Sequence, residues 1–320
     1  MGAYAIRRLL WVPVTVIVVS IIIFLSTRFI PGNIIDLIES EMAAMGATGI
    51  INTKAVSHAL GLDVPVYVQY ARWIGNIVLH GSLGTSFLSK TNITSEILQR
   101  IPVTAELGIM ATVIGVLISI PIGVWSAMRQ DTISDYVLRS IAILLISVPS
   151  FWIATMIFIY PSIWWNWTPP IQLISFTKDP LGNLRMFIIP ALVLGAALSG
   201  VTMRMTRAMM LEVLRQDYTR TAWAKGLSER VIVIRHALKN ALIPVVTIIG
   251  LQIPLIIGGE VIIEQIFVLP GIGRLILDAL TNRDYPMVEG INLVIASFVI
   301  LINLFVDLTY GWLDPRVHYE

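Results

Sequence analysis

Cysteine is missing altogether from the 320 residues, and charged residues make up only 13% of them. The first absence excludes disulfides, thiolate metal sites and cysteine nucleophiles, while leaving the redox compartment open. The second excludes an ordinary soluble domain, in which charged side chains come nearer ~25%. With 56% hydrophobic residues, the chain has lipid as its solvent. Histidine is scarce too. His58, His80, His236 and His318 lie too far apart for helical zinc-ligand spacing, so no metal site is expected and they belong at surfaces or interfaces. A net charge of +2 gives no reason to expect nucleic acid. The phosphate-cradling G-x-x-x-x-G-K-S/T loop is absent, so any ATP hydrolysis belongs to another polypeptide. His-Glu-x-x-His, Gly-x-Ser-x-Gly and a nearby Ser and His pair are absent as well. That counts against an intramembrane protease or transferase, and no catalytic residue is assigned.

What is abundant is long apolar runs. A helix crossing ~30 Å of hydrocarbon at ~1.5 Å per residue needs about 20 apolar residues. Six stretches qualify: Leu9–Ile30, Thr104–Met128, Val137–Tyr160, Phe187–Met203, Leu242–Ile263 and Val288–Trp312. An all-α polytopic membrane protein with about six transmembrane helices follows. The first stretch is long for a signal-peptide core and has no convincing small-residue cleavage site after it, so it reads as a retained span.

Basic residues set the direction. Lys and Arg concentrate on the cytoplasmic side, which assigns Arg7, Arg8, the loop around Arg129 and Arg139, the segment Arg204–Lys239 and Arg316 to that side. Both termini are then cytoplasmic. The segment carries Arg204, Arg207, Arg215, Arg220, Lys225, Arg230, Arg235 and Lys239. At ~3 kcal/mol per centrally inserted charge, burying these eight would cost roughly 24 kcal/mol, so the segment stays outside the bilayer. On the opposite side, residues 31–103 are too long for a simple turn. Their apolar positions Leu60, Leu62, Val66, Tyr70, Trp73 and Ile77 suggest amphipathic helices in a small cap. The run from Trp164 to Pro170 combines interfacial aromatics with prolines, as an outer-surface loop would, either as an aromatic belt or as a ligand-stacking surface.

Within the basic segment the local chemistry predicts a helix, a break and a second helix. Gly226 can take the left-handed conformation that ends a helix, Lys225 suits the negative end of its dipole, and Ser228 can cap the next helix with Glu229 in its first turn. A short helix projecting between two long spans can act as a lever. A solvated basic loop is the plainer alternative.

The run DYTRTAWAKGLSERVIVIRHALKNALIPV, Asp217–Val245, resembles the cytoplasmic loop of binding-protein-dependent ABC permeases, in its dipeptide, oligopeptide and nickel version. Only Ala222 and Gly226 match the general Glu-Ala-Ala, three residues, Gly pattern; Arg220 and Thr221 depart from it. LGLDVPVYVQYARW (Leu60–Trp73), GSLGTSF (Gly81–Phe87), SVPSFW (Ser147–Trp152), LPGIGRL (Leu269–Leu275), NRDYP (Asn282–Pro286) and LDPRVHY (Leu313–Tyr319) are similar to the same permeases, and in order. They resemble the subunit with the long extracytoplasmic segment after its first span. At Pro31-Gly32-Asn33-Ile34 the chain departs from the Pro-Gly-Asp-Pro of many relatives.

That resemblance implies a type I ABC importer permease fold in a prokaryotic cell membrane. Residues 1–30 would hold the cytoplasmic start and first span, 31–103 the extracytoplasmic segment, 104–313 a five-helix core containing the coupling segment 204–241, and 314–320 a cytoplasmic tail. It also implies a second homologous permease subunit, two ATP-binding subunits that use ATP and Mg, an extracytoplasmic solute-binding protein, and a surrounding lipid bilayer. No cofactor is implied in this chain. Coupling to the ATPase would fall to Asp217, Arg220, Thr221, Ala222, Lys225, Gly226, Leu227, Ser228 and Arg230. Family solutes include dipeptides, oligopeptides, nickel chelates, glutathione and oligosaccharides.

Candidates for the pathway come from polar and helix-bending residues at membrane depth. Pro121, Pro149, Pro190 and Pro254 fall inside spans two to five, where they permit bending or simply pack. Ser147, Pro149 and Ser150 in span three, and Gln252, Gly258, Gly259 and Glu260 in span five, are the pathway candidates, since polar groups avoid lipid. Glu260 fits the outer interface equally well. Asp307 suits either a subunit contact or the cytoplasmic surface. A stand-alone channel or secondary transporter is the rival reading; it would need no ATPase.

Overall fold

The computed structural model describes residues 2–29, 63–170 and 173–313, and among them every regular element is helical. In chain order these are α1 (Gly2–Phe29), α2 (Val66–His80), α3 (Ile93–Met128), α4 (Ile133–Ser147), α5 (Ser150–Trp165), α6 (Pro180–Leu214), α7 (Asp217–Ala224), α8 (Glu229–Val231), a π-helical stretch (Ile232–Leu238), α9 (Lys239–Ile266), α10 (Ile272–Thr281) and α11 (Tyr285–Leu313). Five helices are each long and apolar enough to cross a membrane, and α4 with α5 makes a sixth if the bent pair is one span.

The third expected span, Val137–Tyr160, is therefore not one straight helix. Its two limbs meet at 90°. Pro149 has no N–H to give the preceding turn, and its ring disfavours the helical conformation at Val148, which is extended at φ −88° and ψ 122°. Pro149 therefore precedes α5 rather than lying inside a helix, whereas Pro121, Pro190 and Pro254 lie within α3, α6 and α9. The apolar run concealed the break because both limbs are hydrophobic.

Two compact units make up the chain. The first contains Thr104–Leu269 and the chain from Ile302 onward, with α6 at its centre, packed most extensively on α9 and α4. Small residues allow this. A Cβ on Gly195 would lie 2.7 Å from the Ala111 carbonyl, and one on Gly123 2.7 Å from the Thr206 Cβ. Along α3 the buried positions Leu107, Ala111, Gly115, Ser119 and Gly123 recur every fourth residue. Such a row is inclined to the helix axis, so α6 meets α3 along an oblique seam of small side chains where the backbones approach closely.

The second unit contains Ile6–Val103 and Pro270–Leu301. Ile93, Ile97, Ile272, Leu275, Met287 and Ile291 form its core. Tyr70 and Trp73 of α2 pack on Phe24 of α1, with ring centroids 5.4 and 5.6 Å away, and Ser20 shares a 2.9 Å hydrogen bond with the Tyr70 hydroxyl. Glu289 is buried, and accepts from Thr27 at 2.6 Å and from Arg28 at 2.8 Å.

Candidate functional site

Between α6 and α9 the chain makes an elbow. Helix α7 ends as the glycine signal requires: Gly226 has φ +77°, its N–H donates to the Trp223 carbonyl at 2.9 Å, and the Leu227 N–H donates to the Ala222 carbonyl at 3.4 Å. This pair of bonds is the Schellman arrangement, which satisfies carbonyls that the helix end leaves open. Lys225 occupies the C-cap position. Ser228 stands at the N-cap of α8, but its side chain makes no capping hydrogen bond, and α8 passes into the π-helical stretch and then α9 without interruption.

Thr219 holds the elbow to α6, donating from its buried hydroxyl to the Val213 carbonyl at 3.0 Å. Below it, Met210 packs with Val233, Ala237 and Ala241 and with Ala127 of α3. Of the coupling residues expected from sequence, Ala222 is buried, while Asp217, Arg220, Thr221, Lys225, Gly226, Leu227, Ser228 and Arg230 are exposed. The Arg220–Asp217 pair, at 3.5 Å, is exposed and contributes little. The large side chains of Tyr218, Trp223 and Val231 are exposed as well, interspersed in sequence with basic residues.

Pathway candidates are scattered. Ser147 and Pro149 are exposed and Ser150 half-buried at the bend. Gln252 donates to the Thr202 hydroxyl at 2.9 Å, facing a narrow cleft with Thr112 and Gly115. Gly258, Gly259 and Glu260 lie on the α9 backbone, but their side chains are outside the described residues. So are Leu60 and Leu62, the Pro31-Gly32-Asn33-Ile34 turn, the last six residues of the LDPRVHY run and residues 314–320.

Two family models cover almost the whole chain. "Binding-protein-dependent transport system inner membrane component" matches residues 119–319, and "Binding-prot-dependent transport system membrane comp, N-term" matches residues 1–108. The chain belongs to this family of inner membrane components. It is the permease of a bacterial binding-protein-dependent ABC transporter, a multi-pass transport component rather than an enzyme, and such a system includes an ATPase and a binding protein. The dipeptide transport system permease protein of Escherichia coli K12 is 37% identical to the permease, over 99% of both chains. The oligopeptide transport system permease protein of Bacillus subtilis 168 is 36% identical over the full length of each. In fold the permease resembles the crystal structure of an amino acid ABC transporter with histidines: TM-score 0.50 at 14% identity, covering 70% of this chain and 95% of that one.

Several residues important to the permease's architecture went unread in the sequence. Asp284 of the NRDYP run receives the Ser86 hydroxyl and, at 3.1 Å, the Phe87 N–H of the GSLGTSF run, joining two motifs 198 residues apart. Glu264, fully buried, accepts from Thr104 at 2.5 Å, whereas the sequence pointed to Glu260. Arg207 was grouped with solvated basic residues, yet it pairs with the fully buried Asp135 at 2.7 Å. For Glu264, a single acid in an apolar run, that setting is the available signal, since such a group needs a partner; Asp135 and Asp284 stand in polar runs that give no such signal.

Proposed function

We propose that the permease forms half of the translocation pathway of an ATP-driven importer of dipeptides or oligopeptides, and that it is driven through the elbow at Gly226. The solute class rests on the relatives named for dipeptide and oligopeptide transport, which match along nearly their whole length. A second homologous permease subunit completes the pathway, two ATP-binding subunits hydrolyse ATP with Mg, and an extracytoplasmic protein delivers the solute. In this reading both termini and residues 204–241 are cytoplasmic, residues 31–103 lie outside, and the remainder of 104–313 crosses the inner membrane. Ser147, Pro149, Ser150, Gln252, Gly258, Gly259 and Glu260 remain the proposed pathway residues.

The observation that carries the coupling role is the exposure of large apolar side chains on a capped elbow: Tyr218, Trp223, Leu227 and Val231 are 37 to 47% exposed. Burying a large apolar side chain contributes ~1.5–3 kcal/mol, against ~0–1 for an exposed ion pair, so apolar contact with an ATP-binding subunit dominates and the basic residues steer. Closure of the ATP-binding pair then moves α6 and α9 together, giving alternating access.

Purifying the whole transporter through a tag on the permease tests this. Trp223→Asp with Leu227→Asp is expected to lose the ATP-binding subunits, or to retain them with hydrolysis no longer linked to uptake of labelled alanyl-alanine. Full retention with normal uptake per ATP would overturn the coupling role. Absence of competition by any dipeptide or oligopeptide would overturn the solute class.

A further inference from the structure

We propose that Asp135 and Arg207 are positioning residues of the coupling machinery, pinning α4 to the elbow-bearing helix α6 so that a pull on the elbow moves both. This rests on the coupling role of the elbow argued above.

The geometry is that of a saturated joint. Arg207 donates from Nε to Asp135 Oδ1 at 2.8 Å and from Nη2 to Oδ2 at 2.7 Å. The same Oδ1 receives the Ser126 hydroxyl at 2.5 Å, and Oδ2 receives the Asp131 N–H at 3.1 Å. Each carboxylate oxygen thus has two donors, filling the lone-pair sites it offers. Those donors come from the end of α3, from the turn before α4, where Asp131 has φ +60°, and from α6. One carboxylate therefore ties three elements together.

Its place along α6 gives the joint its function. Close to Gly200, α6 already touches α4: a Cβ there would lie 2.9 Å from the Ala142 carbonyl and 2.8 Å from the Ile146 side chain. These two helices pack extensively on one another. About two turns further along, near 10 Å at ~1.5 Å per residue, the ion pair adds to that packing a directional attachment on the elbow side. From Arg207 it is about two more turns to the end of α6, where Thr219 bonds back to Val213. Elbow displacement is thus carried through α6 into α4, the limb that ends at the 90° bend before α5. A bidentate guanidinium–carboxylate fork fixes direction as well as distance, which apolar packing does not.

The chain has no cysteine, so labels can be placed at will. Spin labels at Ile143 and Glu212, both exposed, report the separation of α4 from the end of α6 in the assembled transporter. The wild-type separation should be the same in nucleotide-free and vanadate-trapped complexes. With Asp135→Asn it should shift by about 2 Å on trapping, the scale of helix movements in switching proteins. Uptake of labelled alanyl-alanine per ATP should fall about tenfold, with the ATP-binding subunits retained. Arg207→Lys, which keeps the charge and loses the fork, should behave alike and replaces Asp135→Asn if that variant fails to assemble. An unchanged separation in the variant, or an equal shift in the wild type, would overturn the pin. Failure of the elbow reading is distinguished because it appears as intact ATPase binding and coupling in the Trp223 and Leu227 variant.

Discussion

Gly226 offers the sharpest perturbation, because its backbone and its surroundings pull a substitution's effects apart. At φ +77° it occupies the left-handed region, and a Cβ built there meets nothing within 4 Å. Within this chain a side chain at 226 therefore costs conformational energy alone. That cost is about 1–2 kcal/mol for an ordinary L-residue such as Ala, and less for Asn, which adopts this region more readily. For the β-branched Val it rises towards about 3 kcal/mol. Since ~1.4 kcal/mol is tenfold in an equilibrium, the equilibrium constant for the capped elbow should fall about five- to thirtyfold in Gly226→Ala and on the order of a hundredfold in Gly226→Val. The assay is uptake of labelled alanyl-alanine per ATP hydrolysed by the whole transporter in vesicles, with the binding protein supplied. Expected losses follow Val, then Ala, then Asn, with solute delivery to the permease preserved. If Asn is worse than Ala, bulk against the ATP-binding subunit governs instead of backbone conformation. Gly226→Val with wild-type coupling would refute the lever role.

Gly195→Leu should lower the detergent melting temperature, because its Cβ meets the Ala111 backbone oxygen; overpacking costs about 1–3 kcal/mol, and a wild-type melt would contradict the small-residue seam. Asp284→Ala removes the acceptor for the buried Ser86 hydroxyl, a donor whose loss of partner costs about 1–3 kcal/mol, and for the half-buried Phe87 N–H, which costs less. Faster proteolysis between Gly81 and Asn92 would register that loss, and unchanged protection would contradict it. Gln252→Leu forfeits one bond to Thr202, worth only ~0.6 kcal/mol between membrane helices. Its melt should stay near wild type while uptake falls; unchanged uptake removes Gln252 from the pathway.

Spans and the elbow were legible because each rests on a local rule. Apolar length identifies a crossing helix, and glycine followed by a possible cap identifies the turn at 226. What was not legible depends on partners distant in sequence. Arg207 entered the count of charges kept out of lipid, as though every arginine were alone. Its carboxylate partner is 72 residues away, and the fork offsets a desolvation penalty that an unpaired charge would incur in full. The bend in the third span was within reach of a local rule, since a residue before proline resists the helical conformation, but the continuous apolar run outweighed it.

Among the described residues, the pair of hydrogen bonds that ends α7 at Gly226 recurs at two helix ends that have no glycine. Val268 at φ +56° and Arg283 at φ +53° take the left-handed position after α9 and α10. The Val268 N–H reaches the Gln265 carbonyl and the Leu269 N–H the Glu264 carbonyl; Arg283 and Asp284 likewise reach Leu280 and Ala279. Sequence signals none of this, because Arg disfavours that region by about 1–2 kcal/mol and the β-branched Val by up to about 3 kcal/mol. The following residue offsets the cost. Leu269 is fully buried, and Asp284 is buried with the Ser86 and Phe87 donors upon it. Tertiary burial thus holds two turns that local preference opposes, while Gly226, followed by the exposed Leu227, keeps its turn through backbone freedom. On the proposed coupling role, an elbow that forms before a partner covers it cannot rely on burial, which accounts for a glycine at this turn.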